Sequence, residues 1–130
     1  MRTLIVEDDF TSRILMQSFL SEYGQCHIAV NGREAVTAFR ASSAGGDGYD
    51  LICMDIMMPE LDGQTAVTEI RALEDAAGTP VAARVKIIMT TAMNDAENVV
   101  KSVKAPSDAY LLKPILKKEL IEHLRELRLI

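Results

Sequence analysis

Four short apolar stretches of this chain each run into residues that can do chemistry: Glu7-Asp8-Asp9, Asp55, Thr90-Thr91 and Lys113-Pro114. Asp55 is the most informative. Leu51, Ile52, Cys53 and Met54 form an unbroken apolar run, the carboxylate follows, and Ile56, Met57 and Met58 resume the run before Pro59. Burying an unpaired carboxylate is costly, so something must share its site. Glu7, Asp8 and Asp55 brought together would repel one another and keep some of their protons. A hard divalent cation resolves that conflict, and Mg²⁺ suits a few carboxylates plus waters and phosphate oxygens. Lys113 adds a fixed positive charge. Cations around one carboxylate suit phosphoryl transfer, with Asp55 as the nucleophile that becomes an aspartyl phosphate and Thr91 as a hydroxyl donor to a phosphoryl oxygen. Each residue alone has a plainer use. Asp8 or Asp9 caps a helix, and Asp9 is assigned that role. Thr91 ends a strand, and Lys113 is a solvated lysine. Only Asp55 lacks an evident structural purpose.

The elements that position these residues follow from periodicity. Five short runs, apolar on both faces, are predicted strands: Thr3–Val6, Cys26–Val30, Leu51–Met54, Val85–Met89 and Ala109–Leu112. Amphipathic segments fill the gaps. Leu15, Phe19 and Tyr23 mark the first helix, Ala35, Ala38 and Phe39 the second, and Ala66, Ile70 and Leu73 the third. Val99, Val100 and Val103 mark a fourth, behind the capping-box pattern Asn94…Glu97. Leu116, Leu120, Leu124 and Leu127 mark the last, predicted to begin at Pro114. Strict alternation of strand and helix implies an α/β fold with a parallel sheet and right-handed crossovers. Ser42–Gly48 and Glu74–Arg84 read as long loops before the third and fourth strands. The chemically active residues all follow strands, so they gather at one sheet edge, where ligands bind in open α/β folds.

Composition narrows the function further. The chain has 130 residues, 48% hydrophobic and 25% charged, with formal net charge −5. That is the size of one domain, and a single domain over residues 1–130 is expected. An acidic chain without a basic stripe argues against nucleic-acid or membrane binding. Cys26 and Cys53 are expected as buried free thiols rather than a disulfide framework. No signal peptide or span of about 20 apolar residues is visible, so the expected location is cytoplasmic.

"LIVEDD", "DLICMDIMMPELDG", "IIMTTA" and "AYLLKP", in this order, resemble the signature segments of response-regulator receiver domains, and "NGREAV" resembles that family's second-helix start. The similarity spans nearly the whole chain. It implies a flavodoxin-like (βα)5 doubly wound sheet of order 2-1-3-4-5. Most relatives carry an output domain, whereas the extent of this chain leads to the expectation of a stand-alone, CheY-like receiver without one. It implies Asp55 as phosphoacceptor. Glu7, Asp8, Asp55 and the backbone carbonyl of Met57 become the Mg²⁺ ligands. Thr91 and Tyr110 become the switch pair, Lys113 the phosphate-contacting lysine, and Pro114 the partner in a cis bond that sets its aim. The implied donor is a sensor histidine kinase or a phosphotransfer protein. The implied output is a shifted equilibrium on the face of the fourth helix, fifth strand and fifth helix, read by a partner protein, in chemotaxis or another relay.

Some positions depart from the family pattern. Pro106 stands where glycine is common and should stiffen the turn before the fifth strand. Met57 and Met93, two past Asp55 and Thr91, replace often-polar residues on the path of the hydrolytic water. Two thioethers there would order water poorly and prolong the phosphorylated state. Leu127, Leu129 and Ile130 allow a weak dimer, although packing within the monomer explains them more simply. Two other classes compete: a Mg²⁺-dependent phosphatase with an aspartyl nucleophile, and a flavodoxin. The first usually carries a D-x-D pair after the first strand and a cap domain. The second needs a hydroxyl-rich phosphate loop, which Glu7-Asp8-Asp9 would repel.

Overall fold

The computed structural model describes residues 1–58, 60–92 and 107–130. In chain order its main elements are β1 (Thr3–Val6), α1 (Phe10–Leu20), β2 (Cys26–Ala29), α2 (Gly32–Ala44), β3 (Leu51–Asp55), α3 (Gly63–Ala76), β4 (Lys86–Ala92), β5 (Ala109–Lys113) and α4 (Lys117–Glu126). All strand neighbours are parallel, and the order is β2-β1-β3-β4-β5. The expected flavodoxin-like architecture is therefore the one observed.

Alternation along the strands builds two cores. Leu4, Val6, Ile52, Met54, Ile87 and Met89 face α2 and α3, where Ala35, Val36, Phe39, Ala66, Val67 and Ile70 cover them. Ile5, Leu51, Cys53, Ile88 and Leu111 face the other way, beneath Met16 and Leu20 of α1 and Leu120 and Leu124 of α4. Strands buried on both faces need apolar residues at successive positions, which explains the runs in the sequence. Each such side chain adds about 1.5–3 kcal/mol on burial. Leu127 and Leu129 also pack against the second core, leaving Ile130 exposed. Packing within the monomer thus accounts for two of the three apolar residues considered for a dimer.

Several boundaries differ from expectation. β3 includes Asp55, β4 runs through Thr91 to Ala92, and β5 includes Lys113. The reason is pairing: Asp55 lies opposite Thr90, Thr91 opposite Leu112, and Ala92 opposite Lys113. Polar residues stay in a strand when a neighbour completes the ladder. The first long loop is shorter than expected because α2 continues through Ser42–Ala44. In the second, Glu74–Ala76 belong to α3 and Val81–Ala83 form a short 3₁₀ turn. Glu74 is buried there because it accepts the Val85 N–H at 2.8 Å and pairs with Arg71 at 2.7 Å. The last helix begins at Lys117 rather than Pro114, because the backbone is still extended at Leu116, which caps it; the Lys113-Pro114 bond is cis. The fourth helix expected behind Asn94, with Met93 and Pro106, lies outside the described residues.

Glycine sets one contact that positions the site. Gly63 starts α3 against the end of β3, donating its N–H to the Ile56 carbonyl at 3.0 Å. A Cβ on Gly63 would lie 2.2 Å from the Asp55 carbonyl oxygen. Only a residue without a side chain permits that approach. Gly63→Ala is therefore expected to lose about 2 kcal/mol in urea unfolding, in the range of overpacked cores, and to slow modification at Asp55. Unchanged stability would mean the helix start yields easily.

Candidate functional site

The chain leaves β1 toward β2 on one side and reaches β3 on the other, so strand order reverses between β1 and β3. That reversal opens a crevice at the carboxyl ends of these strands. Glu7 follows Val6, and Val6 lies opposite Met54, so Glu7 and Asp55 emerge side by side. Lys113 closes the third side from β5. Its ammonium is 2.5 Å from Glu7 Oε1 and 3.1 Å from Asp55 Oδ2. Asp55 Oδ1 also accepts the Met57 N–H at 3.2 Å. Glu7 Oε2 accepts the Asp9 N–H at 3.2 Å. Glu7 and Asp55 are buried, while Asp8 is exposed at the rim.

Asp9 caps α1, its carboxylate accepting the Ser12 N–H at 2.8 Å. That bond holds its carboxyl below the usual range. Arg13 donates to the Glu7 carbonyl at 3.2 Å, which pins the turn carrying the acidic residues. Sequence reasoning misses both the Arg13 contact and the Met57 N–H. The first depends on how α1 leaves the sheet, and backbone donors leave no mark in a sequence.

The electrostatics leave one charge unanswered. Two buried carboxylates share one ammonium. Burial raises the Glu7 carboxyl above its ordinary value, and neighbouring Asp55 raises it further, against the pull of Lys113. Burial pushes the Lys113 ammonium down, but Glu7 and Asp55 outweigh it and hold the group protonated to higher pH. A second cation would satisfy the remaining negative charge. Glu7, Asp8 and Asp55 each offer an oxygen within 4.8 Å of the others. An all-carboxylate donor set of this size, open on the Asp8 side, fits a hard ion such as Mg²⁺.

Thr91 is placed differently. It alternates with Ile87 and Met89 onto the side of the sheet facing α2 and α3. Glu7, Asp55 and Lys113 follow Ile5, Cys53 and Leu111 onto the opposite side. Tyr110 shares the side of Thr91. It lies opposite Met89, two positions before the partner of Thr91, on the adjacent strand. Thr91 is fully buried, and its hydroxyl has no hydrogen-bond partner among the described residues. Buried hydroxyls are nearly always satisfied, so this one is free to accept or donate a hydrogen bond at the strand end. Thr90, not Thr91, lies directly across from Asp55.

The sequence model of the response regulator receiver domain matches residues 3–125. The chain belongs to the response-regulator receiver domain family. This receiver domain is 32% identical over 123 residues to the chemotaxis protein CheY of Bacillus subtilis, covering 93% of this chain and 92% of that one. A chain in the co-crystal structure of the Saccharomyces cerevisiae phosphotransfer protein Ypd1 with the receiver domain of Ssk1 superposes with TM-score 0.82. The two are 30% identical, covering 97% of this chain and 87% of that one. The receiver domain of the Pseudomonas aeruginosa sensor histidine kinase PA1611, with magnesium in its active-site cleft, gives TM-score 0.74. It is 32% identical, covering 98% and 97%. Several other curated relatives are longer, and the receiver domain spans less than half of their length. Among its described residues, no helix is long and apolar enough to cross a membrane. Its two cysteines are free, and burial pushes both thiols up.

Proposed function

We propose that this chain is the phosphoryl-accepting switch of a two-component relay, with Asp55 as acceptor and a histidine kinase or phosphotransfer protein as donor. The observation that carries the reading is Asp55 itself. It is a buried carboxylate at a strand end, held by the Lys113 ammonium and the Met57 N–H, beside acidic neighbours that need a further cation. In-line attack by Asp55 on a phosphohistidine forms the Asp–O–P bond as the P–N bond breaks, and the imidazole leaves. Lys113 neutralises charge on the transferred group's oxygens. Mg²⁺, held by Glu7, Asp8, Asp55 and the Met57 carbonyl, would supply the remaining neutralisation. Thr91 then turns its unpartnered hydroxyl toward a phosphoryl oxygen. That motion changes the space beside Tyr110 on the same side of the sheet, which couples the site to the face carrying β5 and α4.

The test is incubation with Mg²⁺ and acetyl phosphate or beryllofluoride. Mass spectrometry should locate the modification at Asp55, and NMR should report an altered Tyr110 ring. Modification elsewhere would refute the assignment. Glu7 provides a check on the metal. Because its carboxyl is raised, the metal-free fold is favoured while Glu7 holds its proton. That contribution fades as pH rises from the ordinary carboxylate range through the raised value. Mg²⁺ must displace the proton, so its affinity rises across the same window. Calorimetry in two buffers should show proton release on binding. A pH-independent affinity would remove Glu7 from the ligand set.

Met57 bears on how long the signal lasts. Its side chain is 61% exposed beside Asp55 and offers water no hydrogen-bonding group beyond a thioether. Met57→Asn, alone and with Met93→Glu, is expected to shorten the phosphoaspartate lifetime several-fold. Unaltered decay of acid-labile phosphate would eliminate that role.

A further inference from the structure

At the opposite edge of the sheet a groove of 540 Å³ opens between the starts of β3 and β4 and the end of α4. Its apolar floor comes from Tyr49, Leu127 and Leu129, and Arg84, Lys86, Arg128 and Asp50 add charge to its lining. Arg84 is paired with Asp75 at 2.7 Å. Lys86 and Arg128 have no carboxylate within ion-pair distance among the described residues. A fourth cation, Arg2, lies with its guanidinium 5.2 Å from the centre of the Tyr49 ring. Cations thus gather at this edge of a chain whose net charge is −5.

The backbone beside the groove is also unusual. α4 ends in a Schellman motif: Leu129 N–H reaches the Leu124 carbonyl at 2.9 Å, and Arg128 N–H the Arg125 carbonyl at 3.0 Å. The residue that must turn left-handed in this motif is Arg128, with φ 59. Glycine is strongly preferred there, because any Cβ is strained in that conformation. This chain accepts the strain and places an arginine at the groove instead. An outlier of this kind points to a use for the side chain.

We propose that the groove docks an acidic, apolar peptide segment of a partner protein, with carboxylates on Lys86 and Arg128 and an apolar side chain on the Tyr49–Leu129 floor. Asp50 in the lining and the acidic chain as a whole disfavour a nucleic-acid backbone. β3 has five residues, so about 15 Å of strand separates this edge from Asp55. Docking here leaves the phosphoryl site free, so a partner can stay bound in both states of the switch.

The test is an amide NMR titration of the full chain with a synthetic peptide alternating Glu or Asp with Leu. A lysine-for-acid counterpart and an oligothymidylate serve as comparisons. The acidic peptide should shift the Lys86, Arg128 and Leu129 amides, bind more weakly in high salt, and bind equally to the Asp55→Asn variant. Lys86→Ala and Arg128→Gly should each weaken it about threefold to fivefold. Arg128→Gly should also raise Tm, so lost binding cannot be put down to a damaged fold. Equal affinity for the basic peptide, tighter binding of the oligonucleotide, or full affinity in both variants would overturn the proposal.

Discussion

Asp55→Asn should lose all acceptance of phosphoryl groups from acetyl phosphate while making the metal-free protein more stable. A carboxamide keeps the shape of the carboxylate and can still accept the Met57 N–H, but it is not a nucleophile. Its charge is what the site struggles to hold. Glu7 and Asp55 compete for one ammonium, and the Asp55 charge helps to raise the Glu7 carboxyl. Removing that charge relieves repulsion of about 1 kcal/mol at an effective dielectric between protein and water. The gain corresponds to about 4 °C in Tm for a domain of this size. With Mg²⁺ present the gain should shrink or reverse, because the variant has lost one of the proposed ligands. Thermal scans in EDTA and in Mg²⁺, beside a labelling assay, read all three effects. Retained labelling would end the assignment of Asp55. Lost labelling with a lowered Tm in EDTA would leave Asp55 as acceptor but remove the electrostatic account.

Lys113→Met should act in the opposite direction. Met keeps most of the stem volume but leaves Glu7 and Asp55 buried without a cation. Breaking a buried pair by deleting one partner costs about 3 kcal/mol or more. Part of that cost is avoided as Glu7 keeps its proton to still higher pH, so the loss should be smaller in acid. Mg²⁺ should restore much of the stability, since it answers the same charges. Urea unfolding at two pH values, with and without Mg²⁺, separates this from simple packing. Equal destabilisation under all four conditions would mean that Lys113 matters as a hydrocarbon stem. The variant should also transfer the phosphoryl group slowly, having lost the positive charge that β5 delivers to the site.

Much of the fold and most of the site are legible in the residues alone. Two-faced apolar runs such as Leu51–Met54 specify buried parallel strands, and strand–helix alternation specifies which sheet edge the intervening residues reach. Burial energetics single out Asp55, because a carboxylate ending such a run needs partners. Side-chain chemistry then names those partners: Glu7, Asp8 and Lys113. None of this depends on where α1 or α4 lies.

What only the tertiary structure decided depends on register and close approach. Cross-strand pairing keeps Asp55, Thr91 and Lys113 inside their strands, where periodicity alone ends each strand sooner. Alternation from the core then puts Asp55 and Lys113 on one side of the sheet and Thr91 with Tyr110 on the other. One residue of register reverses that outcome, and local composition does not encode it. The unpartnered Thr91 hydroxyl, the Gly63 contact with the Asp55 carbonyl and the left-handed Arg128 depend on the full packing of helices against the sheet. The chemistry of this protein lies in residue types, which a sequence lists. The switching proposed for Thr91 and Tyr110 depends on which side of the sheet each one faces, and that exists only once the chain is folded.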